Sequence, residues 1–490
     1  MYSFIASLVV LVLGYIVYGR FVERVFRPNR SAVTPAYSKK DGVDFVPMPS
    51  WKVYMIQFLN IAGTGPIFGA IMGAQFGPSC YLWIVIGCLF AGAVHDYFSG
   101  MLSIRNGGAG LPDIVGAYLG QRNRIAVLIF SIILLLLVGA VFVFSPSMIL
   151  GRLVPLNDTP KLSVMVWVCI VFGYYILATL LPVDKIIGRI YPLFAFALLF
   201  MAASLCVCLF VKWPDLPEIW DGLGNRRSSL GLEHQPLFPC LCITIACGAI
   251  SGFHATQSPI MARCAENENK GRQIFYGSMV TEGIVALIWA AISSYFFFDG
   301  GKEAVGALSG SAPEVVVSVS RAWLGIVGGV LAILGVVAAP ITSGDTAFRS
   351  ARLIIADFVH LRQDKRINRL IVAIPLFLAA SFLLWYNVED EEGFNTIWRY
   401  FGLANQLLAC FMLWAATAYL THRERHRLKP YHLMTLMPAC FMTSVCVTYI
   451  CVDKIGFRLP ESLIPWIATA TFAAVLTAYY LVRIKWDRRP

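Results

Sequence analysis

Ionisable and hydroxyl side chains set into apolar sequence are where this chain could do chemistry. Asp96 with its neighbour His95, then His254, Glu282 and Asp345, all interrupt runs that are otherwise apolar. A charge at the centre of a bilayer costs about 2.5–3.5 kcal/mol on insertion scales, so such a residue serves a transport pathway or is neutral and hydrogen-bonded. His95 and Asp96 are adjacent, project about 100° apart on a helix and are not a natural mutual pair. Each is expected to meet a different neighbouring helix. Glu282 has no basic residue nearby in its run, so its partner must come from elsewhere. Thr342, Ser343 and Thr346 beside Asp345 offer hard oxygen donors, which suit a cation. The bland alternative is that these hydroxyls back-bond to carbonyls around Pro340. Asn405 and Gln406 are amides in an apolar run, fit either to bind a substrate or to hold helices together.

Two further sites are made of backbone. Asn60-Ile61-Ala62-Gly63-Thr64-Gly65-Pro66 interrupts one apolar run, and Gly248 to His254 followed by Ser258-Pro259 interrupts another. Glycine and proline weaken a helix interior, and in a membrane the freed backbone groups must be satisfied by protein, water or ligand. Pro66 suits the first turn of a new half-helix running towards Gly77, whose free N–H groups would favour a carboxylate. The carbonyls near Ala62 and Gly63 could hold a cation. The expected substrate contacts are therefore Gly63, Thr64, Gly65 and Pro66, faced by Ser251, Gly252, His254 and Thr256. The bland reading is that these glycines only let helices pack closely.

These residues need elements that can hold them in a membrane. The 490 residues are 58% hydrophobic and only 14% charged, which excludes an ordinary soluble enzyme. About thirteen apolar runs are long enough to span: 2–19, 54–78, 80–104, 124–150, 162–182, 190–212, 238–260, 275–298, 320–347, 367–388, 396–420, 432–452 and 462–483. The chain is thus expected to be an all-α polytopic membrane protein. With the N-terminus outside and strict alternation, the inner loops hold all of the 39 Lys+Arg except Arg152, Lys161, Lys212, Arg226, Arg227, Lys302, Arg321, Arg399, Lys454 and Arg458. The acids lean outward, as in Glu389-Asp390-Glu391-Glu392. That bias explains the net charge of +11 as a basic cytoplasmic face rather than a nucleic-acid site.

The breaks lie five spans apart, one in each of two five-helix halves, which is the sequence pointer to an inverted-repeat secondary transporter. The expected divisions are 1–50, 51–215, 216–425 and 426–490: a leading helix and loop, two repeats and two trailing helices. Most of the 13 cysteines read as small buried apolar residues. Cys240 and Cys242 lack a second Cys/His cluster at zinc spacing, so neither metal nor cofactor is expected. No phosphate-binding loop, His-Glu-x-x-His or Gly-x-Ser-x-Gly motif is present.

Five blocks carry a resemblance to a known family. They are Gly63 to Ala70, His95 to Met101, Ser251 to His254, Pro340 to Ser350 and Trp398 to Gln406. In these the chain resembles the carbon starvation protein A (CstA) family. The resemblance implies a bacterial inner-membrane secondary transporter that imports peptides or pyruvate, linked to the carbon starvation response, and no enzyme. It also implies a LeuT-like five-plus-five fold, counted from the second span, with its first and sixth core helices broken. The coupling cation would be sodium, near Ala62, Gly63, Thr342 and Ser343, or a proton carried by His95, Asp96 or Glu282. The rival from another class is an intramembrane enzyme using Asp96 and Asp345, which requires the two carboxylates to face each other.

Overall fold

The computed structural model describes the chain except residues 157–158, 181–182, 299–311, 364, 390–392, 425–429 and 488–490. Lys302, the acids at 390–392 and Arg488-Arg489 therefore lie outside the described residues. Helices in chain order are α1 (Tyr2–Phe26), α2 (Ser50–Ile61), α3 (Gly65–Ala74), α4 (Ser79–Arg105), α5 (Leu111–Leu119), α6 (Gln121–Leu153), α7 (Pro160–Leu180) and α8 (Val183–Lys212). Then follow α9 (Leu237–Thr244), α10 (Gly252–Ala262), α11 (Gly277–Phe298), α12 (Ala312–Phe358), α13 (Arg366–Glu389), α14 (Gly393–Glu424), α15 (Leu433–Val452) and α16 (Ile464–Asp487). Among the described residues no strand forms.

Ten of these stretches are long and apolar enough to cross a membrane as continuous helices. The other three expected spans take different forms. The second is the pair α2 and α3, bent by 53° across residues 62–64. The seventh is α9 and α10, separated by the unwound stretch 245–251. The ninth starts earlier than expected, at Ala312, and is interrupted at Gly325 (φ 63°), whereas Pro340 is carried inside the helix. The first span also runs on, to Phe26, and ends only where Arg27 takes a left-handed conformation and donates its N–H to Glu23.

The core is built around α6, α8 and α12, with α2 against α8 and α10 wedged between α4 and α14. Pro146 inside α6 leaves the carbonyl of Phe142 without its helical partner, and the Tyr175 hydroxyl of α7 lies 2.9 Å from that oxygen.

The two ends of α1 mark the two faces of the bundle, because 25 residues of helix span roughly 37 Å. At its start, Glu218 accepts the N–H groups of Tyr2 and Ser3 and pairs with the Met1 amino group. At its far end, Glu23 pairs with Arg272 at 2.8 Å, and the Arg27 carbonyl accepts from Arg105. The loop carrying Glu218 also brings Glu233 to Arg399 and Lys454. Those partners belong to loops that the alternation puts on one side, as do Glu23, Arg105 and Arg272 on the other.

Candidate functional site

The two breaks face each other. A Cβ on Gly65 would come well inside 3.0 Å of the Cys247 side chain, a separation real Cβ atoms do not show. One and two turns on, Gly69 lies against the Thr244 carbonyl and Gly73 against Ile245. One glycine face of α3 is thus pressed on the unwound end of α9. Gly65 has no left-handed φ, so its lack of a side chain serves this close approach and not an unusual backbone. Its bare face was expected to receive a carboxylate; in the structure Cys247 fills that side, and the facing wall begins there rather than at Ser251. Gly248, by contrast, has φ 90°, which only glycine adopts cheaply.

At the first break, α3 opens with a wide turn over Gly65–Gly69 before becoming α-helical. Its two leading amides are unclaimed: among the described residues nothing accepts from the N–H of Thr64 or Gly65. The Thr64 hydroxyl and both polar atoms of the Asn60 side chain are fully buried and unpartnered. Asn60 is not among the expected site residues; an amide one turn before a glycine break is the sequence signal that marks it.

The second break is held by α14. Asn405 Oδ1 accepts the Phe253 N–H at 2.7 Å and the Ser251 hydroxyl at 3.1 Å, capping α10 from outside. The Gln406 amide donates to the Cys242 carbonyl at 3.1 Å, and the Trp83 indole N–H to Ile245 at 2.9 Å. Gly252 permits this, since a Cβ there would strike the backbone of Asn405 and Ala409. Asn405 and Gln406 therefore hold the break, although Asn405 Nδ2 and Gln406 Oε1 remain unpartnered. Thr256 is turned into its own helix, donating to the Phe253 carbonyl at 2.6 Å, and does not line an open wall.

Four of the ionisable residues, His95, Asp96, His254 and Glu282, form one fully buried group. Asp96 accepts from His95 Nδ1 at 2.8 Å through one oxygen, and its other oxygen meets His254 Nδ1 at 2.9 Å. His254 Nε2 lies 3.4 Å from Glu282, without hydrogen-bond geometry. The expectation that His95 and Asp96 do not pair is thus corrected. Two short side chains 100° apart on the α4 surface still converge when the carboxylate bends towards the ring, and Asp96 then bridges two histidines. Glu282 does find its partner on another helix, α10.

Asp345 stands in a separate group. Its Oδ2 meets the Tyr191 hydroxyl at 2.7 Å, and its Oδ1 is buried and unpartnered. Asp96 is engaged by histidines and Asp345 by a tyrosine of α8, so the facing pair required of an intramembrane aspartyl enzyme does not form. Thr342 and Thr346 donate to carbonyls of their own helix, as the back-bonding alternative had it. Ser343 instead crosses to α2, donating to the Leu59 carbonyl at 2.8 Å, with its Cβ beside Gly63.

The family profile for "Carbon starvation protein CstA" matches residues 1–146, 143–327 and 301–449. A Haemophilus influenzae protein described as an uncharacterized membrane protein is 47% identical over 60% of this chain and 91% of its own length. The peptide transporter CstA of Campylobacter jejuni is 26% identical over 90% of this chain and 78% of its own. That of Escherichia coli is 24% identical over 91% and 80%. Among solved structures, an Eremococcus coleocola manganese transporter, in complex with an aromatic bis-isothiourea compound, aligns with TM-score 0.58 at 14% identity, covering 91% of this chain and 99% of that one. A sodium-coupled sialic acid symporter aligns with TM-score 0.53 at 14% identity over 94% and 95%. At such identities the likeness shows the fold alone, and that fold is LeuT-like, with the two breaks in its first and sixth core helices and α1, α15 and α16 added.

Proposed function

The chain belongs to the carbon starvation protein CstA family and is a multi-pass membrane transporter, and from that premise we propose that it imports a small carboxylate-bearing nutrient, a short peptide or pyruvate, driven by a coupling cation. The observation that carries this reading is the first break. The N–H groups of Thr64 and Gly65 are unclaimed around this break, and the Thr64 hydroxyl and the Asn60 amide are buried without partners. Buried polar groups without partners are costly, and a half-helix N-terminus favours an anion. A substrate carboxylate answers both.

For the cation, the carbonyl of Leu59 and the hydroxyl of Ser343 already meet at the end of α2, where sodium would find oxygen donors together with Ala62. A proton would instead be carried by Asp96, His95 or Glu282. The basic bias supports an orientation with Met1 periplasmic and the C-terminus cytoplasmic, in the bacterial inner membrane that the family implies. The divisions 51–215 and 216–425 would be its two repeats.

The test is uptake by purified protein in liposomes, with pyruvate, dipeptides and amino acids run in parallel under a sodium or a pH gradient. One carboxylate should accumulate under one gradient, and its methyl ester should compete about 5- to 150-fold less well, matching about 1–3 kcal/mol for N–H groups left poorly paired. An ester that competes as well as the acid overturns the carboxylate site. Accumulation indifferent to both gradients overturns the coupling.

A further inference from the structure

Cys247, His254 and Glu282 converge from three different pieces of chain. Cys247 belongs to the unwound stretch after α9, His254 to the first turn of α10, and Glu282 to α11. One donor atom from each, a sulfur, a ring nitrogen and a carboxylate oxygen, lies within 4.8 Å of the other two, and all three residues are buried. We propose that these three side chains form a site for one divalent d-block cation of the zinc type.

Three observations carry this. First, two of the three side chains offer unsatisfied atoms, while the Cys247 thiol donates only to the Ser251 hydroxyl at 3.5 Å. Both oxygens of Glu282 and Nε2 of His254 are buried without a hydrogen bond. His254 Nδ1 lies 2.9 Å from Asp96, and in the neutral ring that donates Nδ1–H to Asp96 the Nε2 lone pair faces a Glu282 carboxylate oxygen 3.4 Å away. Two such groups facing each other in a dry interior call for a proton or a metal cation between them.

Second, His254 is held as metal-binding histidines are held. A carboxylate on the far ring nitrogen fixes the tautomer and the ring plane and makes the near nitrogen a stronger donor. Asp96 does this at 2.9 Å, and it is fixed in turn by His95 at 2.8 Å. Asp96 is a positioning residue in this arrangement, and His95 supports it.

Third, the donor chemistry selects the metal. Sulfur, imidazole and one carboxylate suit zinc-like ions, whereas magnesium and calcium call for oxygen alone. Tetrahedral zinc bonded at about 2.0–2.3 Å keeps its ligands roughly 3.5 Å apart; His254 and Glu282 already stand at 3.4 Å, and Cys247, within 4.8 Å of both, needs to close in by about 1 Å at most. The fourth position is left for water. Because Cys247 and His254 flank the second break and Glu282 sits on the next helix, a bound cation ties the halves of the break together and to α11, which arrests transport. Residue spacing does not point to this site: Cys247 reads as one more small apolar residue, and 35 positions separate it from Glu282.

The test uses the full chain, purified in detergent, stripped of metal and titrated with cobalt(II), whose thiolate complexes absorb strongly in the near ultraviolet. Wild type should bind one cobalt per chain with a thiolate-to-metal band, and zinc should bleach it. Cys247→Ser should lose the band, while Cys440→Ser in α15 should keep it. His254→Gln keeps the thiol and should bind at least tenfold more weakly. Asp96→Asn should weaken binding by about 10- to 100-fold without changing the position of the band, as loss of an outer partner does. Absence of a thiolate band in wild type overturns the site and leaves the cluster as an ionic network alone. A band that survives Cys247→Ser also overturns it. The wild-type measurement does not depend on any variant folding, and none of these readouts depends on the transported substrate, so failure here leaves the proposed transport reading standing.

Discussion

Replacing Gly65 by alanine probes the contact between the two breaks directly. The added methyl group would lie well inside 3.0 Å of Cys247 Cβ and Sγ, yet 3.8 Å from Cys247 Cα, which is ordinary contact. The clash is therefore with the cysteine side chain and not with backbone. Overpacking of this kind costs about 1–3 kcal/mol. An unfolding entropy of about 2.1 cal/mol/K per residue makes 1 kcal/mol worth about 1 °C in a chain of this size, so Gly65→Ala should lower the unfolding temperature by at least about 1–3 °C. A membrane bundle that exposes fewer residues on unfolding shifts further. Cys247→Gly removes the two clashing atoms, so the double variant should recover most of the loss. Two residues in contact should show a coupling energy of about 1–3 kcal/mol in a double-mutant cycle. The assay is thermal unfolding of the four proteins in one detergent, followed by tryptophan fluorescence. Additive effects of the two substitutions would refute the packing argument and return Gly65 to a role in backbone conformation or substrate contact.

Other outcomes follow from single contacts. Asn405→Leu removes the acceptor of a buried N–H and should destabilise the protein by about 1–3 kcal/mol, whereas Ser251→Ala, which leaves the Phe253 N–H bonded, should cost less; equal losses would remove Asn405 as the cap of α10. Hydrogen bonding to Lys454, with Arg399 close by, holds the carboxyl of Glu233 below the usual carboxylate range. A lowered folded-state value means that its contribution is complete above the unfolded value of about 4.3 and fades as pH falls through the folded one. Glu233 is 44% exposed, so the pair is worth less than about 1 kcal/mol. Glu233→Gln should flatten the acid limb of an unfolding-temperature profile below about pH 4.3 and leave pH 7 within about 1 °C; an unchanged acid limb refutes the pairing. A reporter enzyme active only in the periplasm should be silent when fused after Pro490 and active when inserted in the loop of Glu233, and the reverse pattern would invert the topology.

Sequence alone determined the class of molecule and the position of its interruptions. Apolar length and charge bias are one-dimensional properties: a span must be about 20 residues long wherever it packs, and glycine and proline weaken a helix whatever surrounds it. The breaks near 60–66 and 248–254, which the structure sets at 62–64 and 245–251, and the need for Glu282 to find a partner on another helix, are legible for that reason. Tertiary structure decided what the side chains at those breaks do. Whether Ser343 bonds its own helix or the Leu59 carbonyl depends on which helix α12 is packed against, as does whether Asn405 faces a substrate or caps α10. The same holds for Asp96, whose second histidine comes from a helix 158 residues away, and for Cys247, whose neighbours arrive from α10, α11 and α3. Hydrogen bonds and metal-type clusters act over about 3 Å, and the spacing of residues along a chain fixes such distances only within one turn of one helix; between helices, packing sets them.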